Sequence, residues 1–160
     1  MSVHVAKIGD IIAAKAPDVL EALALGSCVS AIIYDPIAKV GVITHILLPE
    51  VSPYKQIDGV GKYADKAIPE AIRQVQKIGG LRDRLVSKIA GGAKMFDIST
   101  SVNIDVGERN IEAVKSALRK NGISIVAEDT GENYGRTVSF DIETSILTIK
   151  IGLKKITKRI

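Results

Sequence analysis

Over its first fifty residues the chain sets short apolar runs between Gly, Pro and Asp breaks. Val3 to Ile8 predicts a short strand ending at Gly9-Asp10, and Val19 to Leu25 predicts another. Ile11 to Lys15, stopped by Pro17, predicts one or two helical turns. Val29 to Tyr34 and Val40 to Leu48 are separated only by Asp35-Pro36-Ile37-Ala38-Lys39, which predicts neighbouring antiparallel strands. Pro49 to Gly61 predicts the longest loop, next to the second of these strands.

The period then changes. Tyr63 to Ile78 carries apolar residues at 64, 67, 68, 71, 72, 75 and 78, a helical stripe. Pro69 lies within it and predicts a late start or a kink, and Gly79-Gly80 ends it. Leu85 to Ala90 predicts a strand running into Gly91-Gly92-Ala93. Arg109 to Lys120 predicts a second amphipathic helix, with Ile111, Val114 and Leu118 inward and Asn121-Gly122 as its stop. Strands follow at Ile123 to Ala127, Arg136 to Ile142 and Ile146 to Ile151. Groups of strands with two long helices between them predict an α+β fold, a layered sandwich of mixed and antiparallel β-sheets. Residues 1–160 read as one domain without repeat or linker.

Composition narrows the classes. Apolar residues make up 46% and aromatics only 4%, so the core is aliphatic. A single cysteine excludes an internal disulfide and fits a reducing cytosol. No signal-peptide pattern opens the chain and no apolar run approaches membrane-spanning length, so the expected location is cytoplasmic and not in a membrane. The net charge is +4, part of it in Lys154-Lys155-Ile156-Thr157-Lys158-Arg159, which reads as a solvated terminus. Nucleic-acid motifs and stacking aromatics are absent, so no nucleic-acid partner is expected.

The readable chemistry lies in Leu23-Ala24-Leu25-Gly26-Ser27-Cys28-Val29 and, seventeen residues beyond Cys28, in His45. A thiol at a glycine-marked turn and a histidine on the next strand suggest a nucleophile and its base. Such a pairing predicts a partly exposed cysteine whose thiol pKa is lowered by an imidazolium. The competing reading is structural: free cysteine often packs as a small hydrophobe, and a histidine in an apolar run is often a core residue. Ser27 is the weaker nucleophile near neutral pH. Gly91-Gly92 lets backbone approach either a substrate or a packed helix. Gly59-Val60-Gly61-Lys62 lacks the spacing of a phosphate loop, and Glu128-Asp129 lacks His or Cys ligands nearby.

Several separated blocks occur together in one order: Leu25-Gly26-Ser27-Cys28-Val29, Tyr34-Asp35-Pro36, His45 with Leu48-Pro49, Lys62-Tyr63-Ala64-Asp65, Lys88 to Phe96, Gly107-Glu108-Arg109-Asn110, and Ala127 to Gly131 followed by Arg136 and Val138. With these, nearly the whole chain resembles the CheD family of chemoreceptor glutamine deamidases. The resemblance implies a fold similar to the deamidase domains of cytotoxic necrotizing factor toxins. It also implies Cys-dependent hydrolysis of glutamine side chains on chemoreceptor cytoplasmic helices, without metal or organic cofactor. It implies Cys28 as nucleophile, His45 as general base and acid, and CheC phosphatase as a partner. Backbone N–H groups of Ser27 and Cys28 are candidates to hold the oxyanion, and Gly91 and Gly92 to touch substrate. One position departs: the family usually has a Thr six residues before the cysteine, and here Ala22 stands there. The expectation is that the Ala22 carbonyl orients His45. The alternative is a weakened enzyme serving as a regulatory partner of CheC.

Overall fold

The computed structural model describes residues 1–50, 59–95, 105–152 and 155–160. Among the described residues, ten strands and two α-helices form three layers. One sheet has the order β1-β3-β8-β9-β10, the other β2-β5-β4-β6-β7. The strands are β1 (Val3–Val5), β2 (Ile11–Lys15), β3 (Val19–Leu25), β4 (Val29–Asp35), β5 (Val40–Thr44), β6 (Val86–Gly91), β7 (Ser124–Thr130), β8 (Arg136–Asp141), β9 (Ile146–Ile151) and β10 (Ile156–Arg159). The helices are α1 (Ala64–Lys77) and α2 (Val106–Lys120). The α+β expectation holds. Pairing is mostly antiparallel, with β1 parallel to β3 and β6 parallel to β7.

β4 shows how the layers form. All seven of its residues are buried, because both faces are covered. Val29, Ala31 and Ile33 pack with Ile68, Ile72, Val114 and Leu118 of the helices. Ile32 and Tyr34 turn the other way, into a core shared with Leu20, Phe140 and Ile149 of the first sheet. Side-chain alternation along one strand thus feeds two cores. Asp35 ends β4 and caps the turn to β5, accepting from the N–H groups of Ile37 and Ala38 at 2.9 Å each. Its other oxygen receives Leu81 N–H at 2.9 Å, and the Arg84 guanidinium pairs with it.

Three sequence expectations are corrected. Ile11 to Lys15 is β2, a strand paired antiparallel with β5, and not helical turns. Five residues cannot nucleate a stable helix alone, while the open edge of β5 offers a full ladder. α1 begins at Ala64 and runs through Pro69, so the proline does not delay its start. α2 begins at Val106, earlier than predicted, because Asp105 caps it by accepting from Glu108 N–H at 3.0 Å. The basic terminus contains β10, whose four residues are solvent-exposed but whose backbone pairs with β9. Basic side chains on an edge strand also discourage further strand addition. Most of the predicted Pro49 to Gly61 loop falls outside the described residues.

Candidate active site

Cys28 stands one residue before β4 and His45 one residue after β5. The register that sets Ile32 opposite Ile43 is kept to Val29 opposite Ile46, so Ser30 falls opposite His45 and Cys28 opposite Leu47. Cys28 and His45 are therefore diagonal neighbours on the face turned toward the other sheet. Such neighbours lie about 7–8 Å apart along the backbone, a gap that side chains span. On the far side of His45 from Cys28 the ladder is opened. The Thr44 hydroxyl takes both Ala31 N–H and the Ala31 carbonyl at 3.0 Å, in place of backbone partners. The sequence reading gave Thr44 no role.

His45 is 4% exposed. Its Nδ1 lies 2.9 Å from the Ala6 carbonyl oxygen. A carbonyl only accepts, so Nδ1 carries a proton, and in the neutral ring the lone pair then lies on Nε2. The His45 carbonyl in turn accepts from Gly9 N–H at 2.9 Å. Residues 6–9 are where the chain crosses from β1 in one sheet to β2 in the other, and the crossing clamps the histidine at two points. The ring's backbone partner is thus Ala6, not Ala22, which is a correction. Ala22 is fully buried in the core between the sheets. Residues 6 and 22 are neighbours because β1 and β3 run parallel with Val5 beside Glu21, and Ala6 N–H reaches the Glu21 carbonyl at 2.8 Å. A backbone carbonyl leaves no mark in side-chain identity, so the sequence could not single it out. The other histidine, His4, pairs with Asp18 at 2.8 Å.

Cys28 is 7% exposed, so the expected partial exposure is not found. Burial also pushes its thiol pKa up, opposite to the expected lowering. Burial thus favours the protonated thiol. The turn around the thiol is held by its carbonyls. Gly26 O accepts from Ala93 N–H at 2.9 Å and Cys28 O from Gly92 N–H at 2.9 Å. Ser27 O accepts from the Asn110 side-chain amide at 2.9 Å. In a trans peptide the N–H points opposite to the carbonyl. Cys28 N–H therefore faces away from α2.

At Gly91 (φ 113°) a Cβ would come 2.2 Å from the Cys28 carbonyl oxygen, and at Gly92 (φ 71°) 2.3 Å from the Ile111 side chain. Both glycines are buried, and the close approach they allow is to Cys28 and α2. Arg136, almost fully buried, donates to the Gly131 carbonyl at 3.0 Å and stacks over Tyr134. Gly131 N–H bonds the Gly91 carbonyl at 3.0 Å, so Arg136 braces the same glycine segment from behind. Ser30 is fully buried, and its hydroxyl has no partner among the described residues. No group of three potential metal ligands occurs among the described residues. No helix among them is long and apolar enough to cross a membrane.

A family model described as CheD chemotactic sensory transduction matches residues 47–151. The chain belongs to the CheD family. It is 47% identical over 146 residues to a "Probable chemoreceptor glutamine deamidase CheD" of Methanococcus vannielii, covering 91% of this chain and 93% of that protein. It is 44% identical over 146 residues to the "Chemoreceptor glutamine deamidase CheD" of Thermotoga maritima, covering 91% and 90%. The family match begins just after His45, while the relatives' alignments cover about nine-tenths of each chain.

Proposed function

We propose that this CheD-family chain is a chemoreceptor glutamine deamidase, with Cys28 as nucleophile and His45 as base and then acid. The observation that carries the reading is the bond from His45 Nδ1 to the Ala6 carbonyl, which leaves Nε2 as the ring's base on the sheet face it shares with the only cysteine. Nε2 takes the Sγ proton as sulfur attacks the glutamine Cδ. The carbonyl oxygen of the substrate becomes an oxyanion, for which the Cys28 and Ser27 N–H groups are the proposed donors. When the intermediate collapses, the C–N bond breaks and Nε2–H protonates the departing ammonia. Water, deprotonated by Nε2, then splits the thioester, and the sulfur regains its proton as glutamate leaves. Every step is proton transfer or acyl transfer, so the proposed reaction draws on these side chains alone.

The substrates proposed are glutamines on chemoreceptor cytoplasmic helices, in line with the relatives' names. CheC phosphatase as a partner, and likeness of fold to the necrotizing-factor deamidases, remain part of the proposal. The alternative of a weakened regulatory protein rested on Ala22. The Ala6 bond supplies an orienter and removes that motive. The test is mass analysis of a receptor cytoplasmic fragment after incubation. Wild type is expected to convert glutamine to glutamate and Cys28→Ala to leave it unchanged. No conversion by folded wild-type protein overturns the reading.

A further inference from the structure

We propose that Asn110 is a positioning residue that sets the orientation of the Cys28 N–H, the donor proposed for the oxyanion; the inference rests on the nucleophilic reading of Cys28. The ladder between β4 and β5 ends at Val29 and Ile46, which exchange bonds of 3.0 and 2.9 Å. In an antiparallel ladder the next such exchange would join Ser27 and Leu48. Here Leu48 has turned away. Its N–H bonds the Lys62 carbonyl at 2.9 Å and its carbonyl accepts from Ala64 N–H at 3.0 Å. The backbone before the nucleophile thus loses its strand partner where its geometry matters most.

Asn110 takes that partner's place. It is fully buried on α2, and its amide nitrogen donates to the Ser27 carbonyl at 2.9 Å and to the Leu47 carbonyl at 3.0 Å. Both neighbours are acceptors, so the nitrogen must face them and both of its hydrogens are used. One side chain therefore ties the residue before Cys28 to the residue opposite Cys28. Its oxygen is buried without a partner among the described residues. Burying such a group is unfavourable, and an apolar residue would fill a helix face flanked by Ile111 and Val114 at less cost. The amide is poorly explained as packing and well explained as a donor.

Three consecutive carbonyls, at 26, 27 and 28, are held by Ala93 N–H, Asn110 and Gly92 N–H. Only the middle one is held by a side chain. That carbonyl belongs to the same rigid peptide plane as the Cys28 N–H, so fixing one fixes the other. α2 is itself pressed onto the glycine segment. A Cβ at Gly107 would fall 2.5 Å from the carbonyl oxygens of Gly92 and Ala93. The donor is thereby carried on a rigid element.

The test uses two reagents on the one thiol. p-Nitrophenyl acetate acylates sulfur through a tetrahedral oxyanion, whereas iodoacetamide alkylates it by direct displacement and needs no oxyanion donor. Asn110→Ala is expected to slow acylation about 100-fold while leaving alkylation within about threefold, the loss typical of one oxyanion donor. On a receptor fragment the same variant should lower kcat and leave KM nearly unchanged. Asn110→Ser, which retains one donor, should fall between the two, and thermal melts establish that each variant is folded. A merely structural role would move both reagents together, and that outcome, or unchanged acylation in a folded variant, overturns the proposal. Wild type that is acylated by the ester yet deamidates no receptor fragment would remove the proposed substrate and leave the role of Asn110 decided by the reagent ratio.

Discussion

The imidazole of His45 is tied to the Ala6 carbonyl across 39 residues of sequence, at 2.9 Å. Ala22, the position where the family usually has a Thr, lies beside Ala6 in the parallel pairing of β1 with β3. It faces the same core. Ala22→Thr should therefore change the deamidation rate by less than about tenfold, that is by less than about 1.4 kcal/mol of barrier. Initial rates on one receptor fragment check this. A gain well beyond that would show that the ring is not adequately held by Ala6.

Cys28→Ala and His45→Ala should each remove nearly all activity, and the double variant should lose little more. Groups that act as one unit are not additive. Losses that multiplied would mean that nucleophile and base work independently.

The thiol predicts an unusual pH profile. Burial raises its folded-state pKa above the ordinary value of roughly 8.5. Iodoacetamide should therefore label native Cys28 more slowly than a model thiol at neutral pH, with the rate rising only at alkaline pH. A native form that holds its proton more tightly than the unfolded chain is stabilised below the unfolded pKa. That stability is lost as pH rises through the folded value. Fast labelling that levels off below pH 7 would restore the thiolate-imidazolium pair as the resting state.

Asp35 predicts the opposite edge of the stability range. Burial alone would raise its pKa. The Arg84 guanidinium and the N–H groups of Leu81, Ala38 and Ile37 overcome that and hold the carboxyl far below the usual carboxylate range. The native state thus binds fewer protons than the unfolded chain. The stability this gives is complete above the unfolded pKa of about 3.9 and is lost as pH falls toward the folded value. Asp35→Ala should cost about 3 kcal/mol in urea unfolding near pH 7, because it breaks a buried pair and orphans three N–H groups. The difference from wild type should shrink below about pH 4. A cost independent of pH would place the contribution in packing and not in charge.

The sequence disclosed the features that repeat or punctuate. α1 was legible because six of its apolar residues recur on one face and are all buried. β3, β4 and β9 were legible as apolar runs between turn residues. β2 was not, since Ile-Ile-Ala-Ala suits a helix locally and only the free edge of β5 makes it a strand. Cys28 and His45 were legible as residue types set close in sequence. Their surroundings were not, because these are backbone groups and side chains from distant elements. Ala6 contributes a carbonyl, which any residue has. Asn110 comes from a helix 83 residues beyond Ser27. Its motif stood out as part of a family pattern, but nothing local ties it to the thiol.

The proposed nucleophile and base belong to one sheet, but the carbonyl that fixes the imidazole follows β1, a three-residue strand at the edge of the other. The two halves of the site are thus joined by the sandwich itself. Peeling β1 away from β3 would loosen the carbonyl that holds the proton on His45 Nδ1. On the proposed mechanism, activity would then fall while most of the core remained. Among the described strands the shortest, with two of its three residues exposed, thus bears on the site more than on the core.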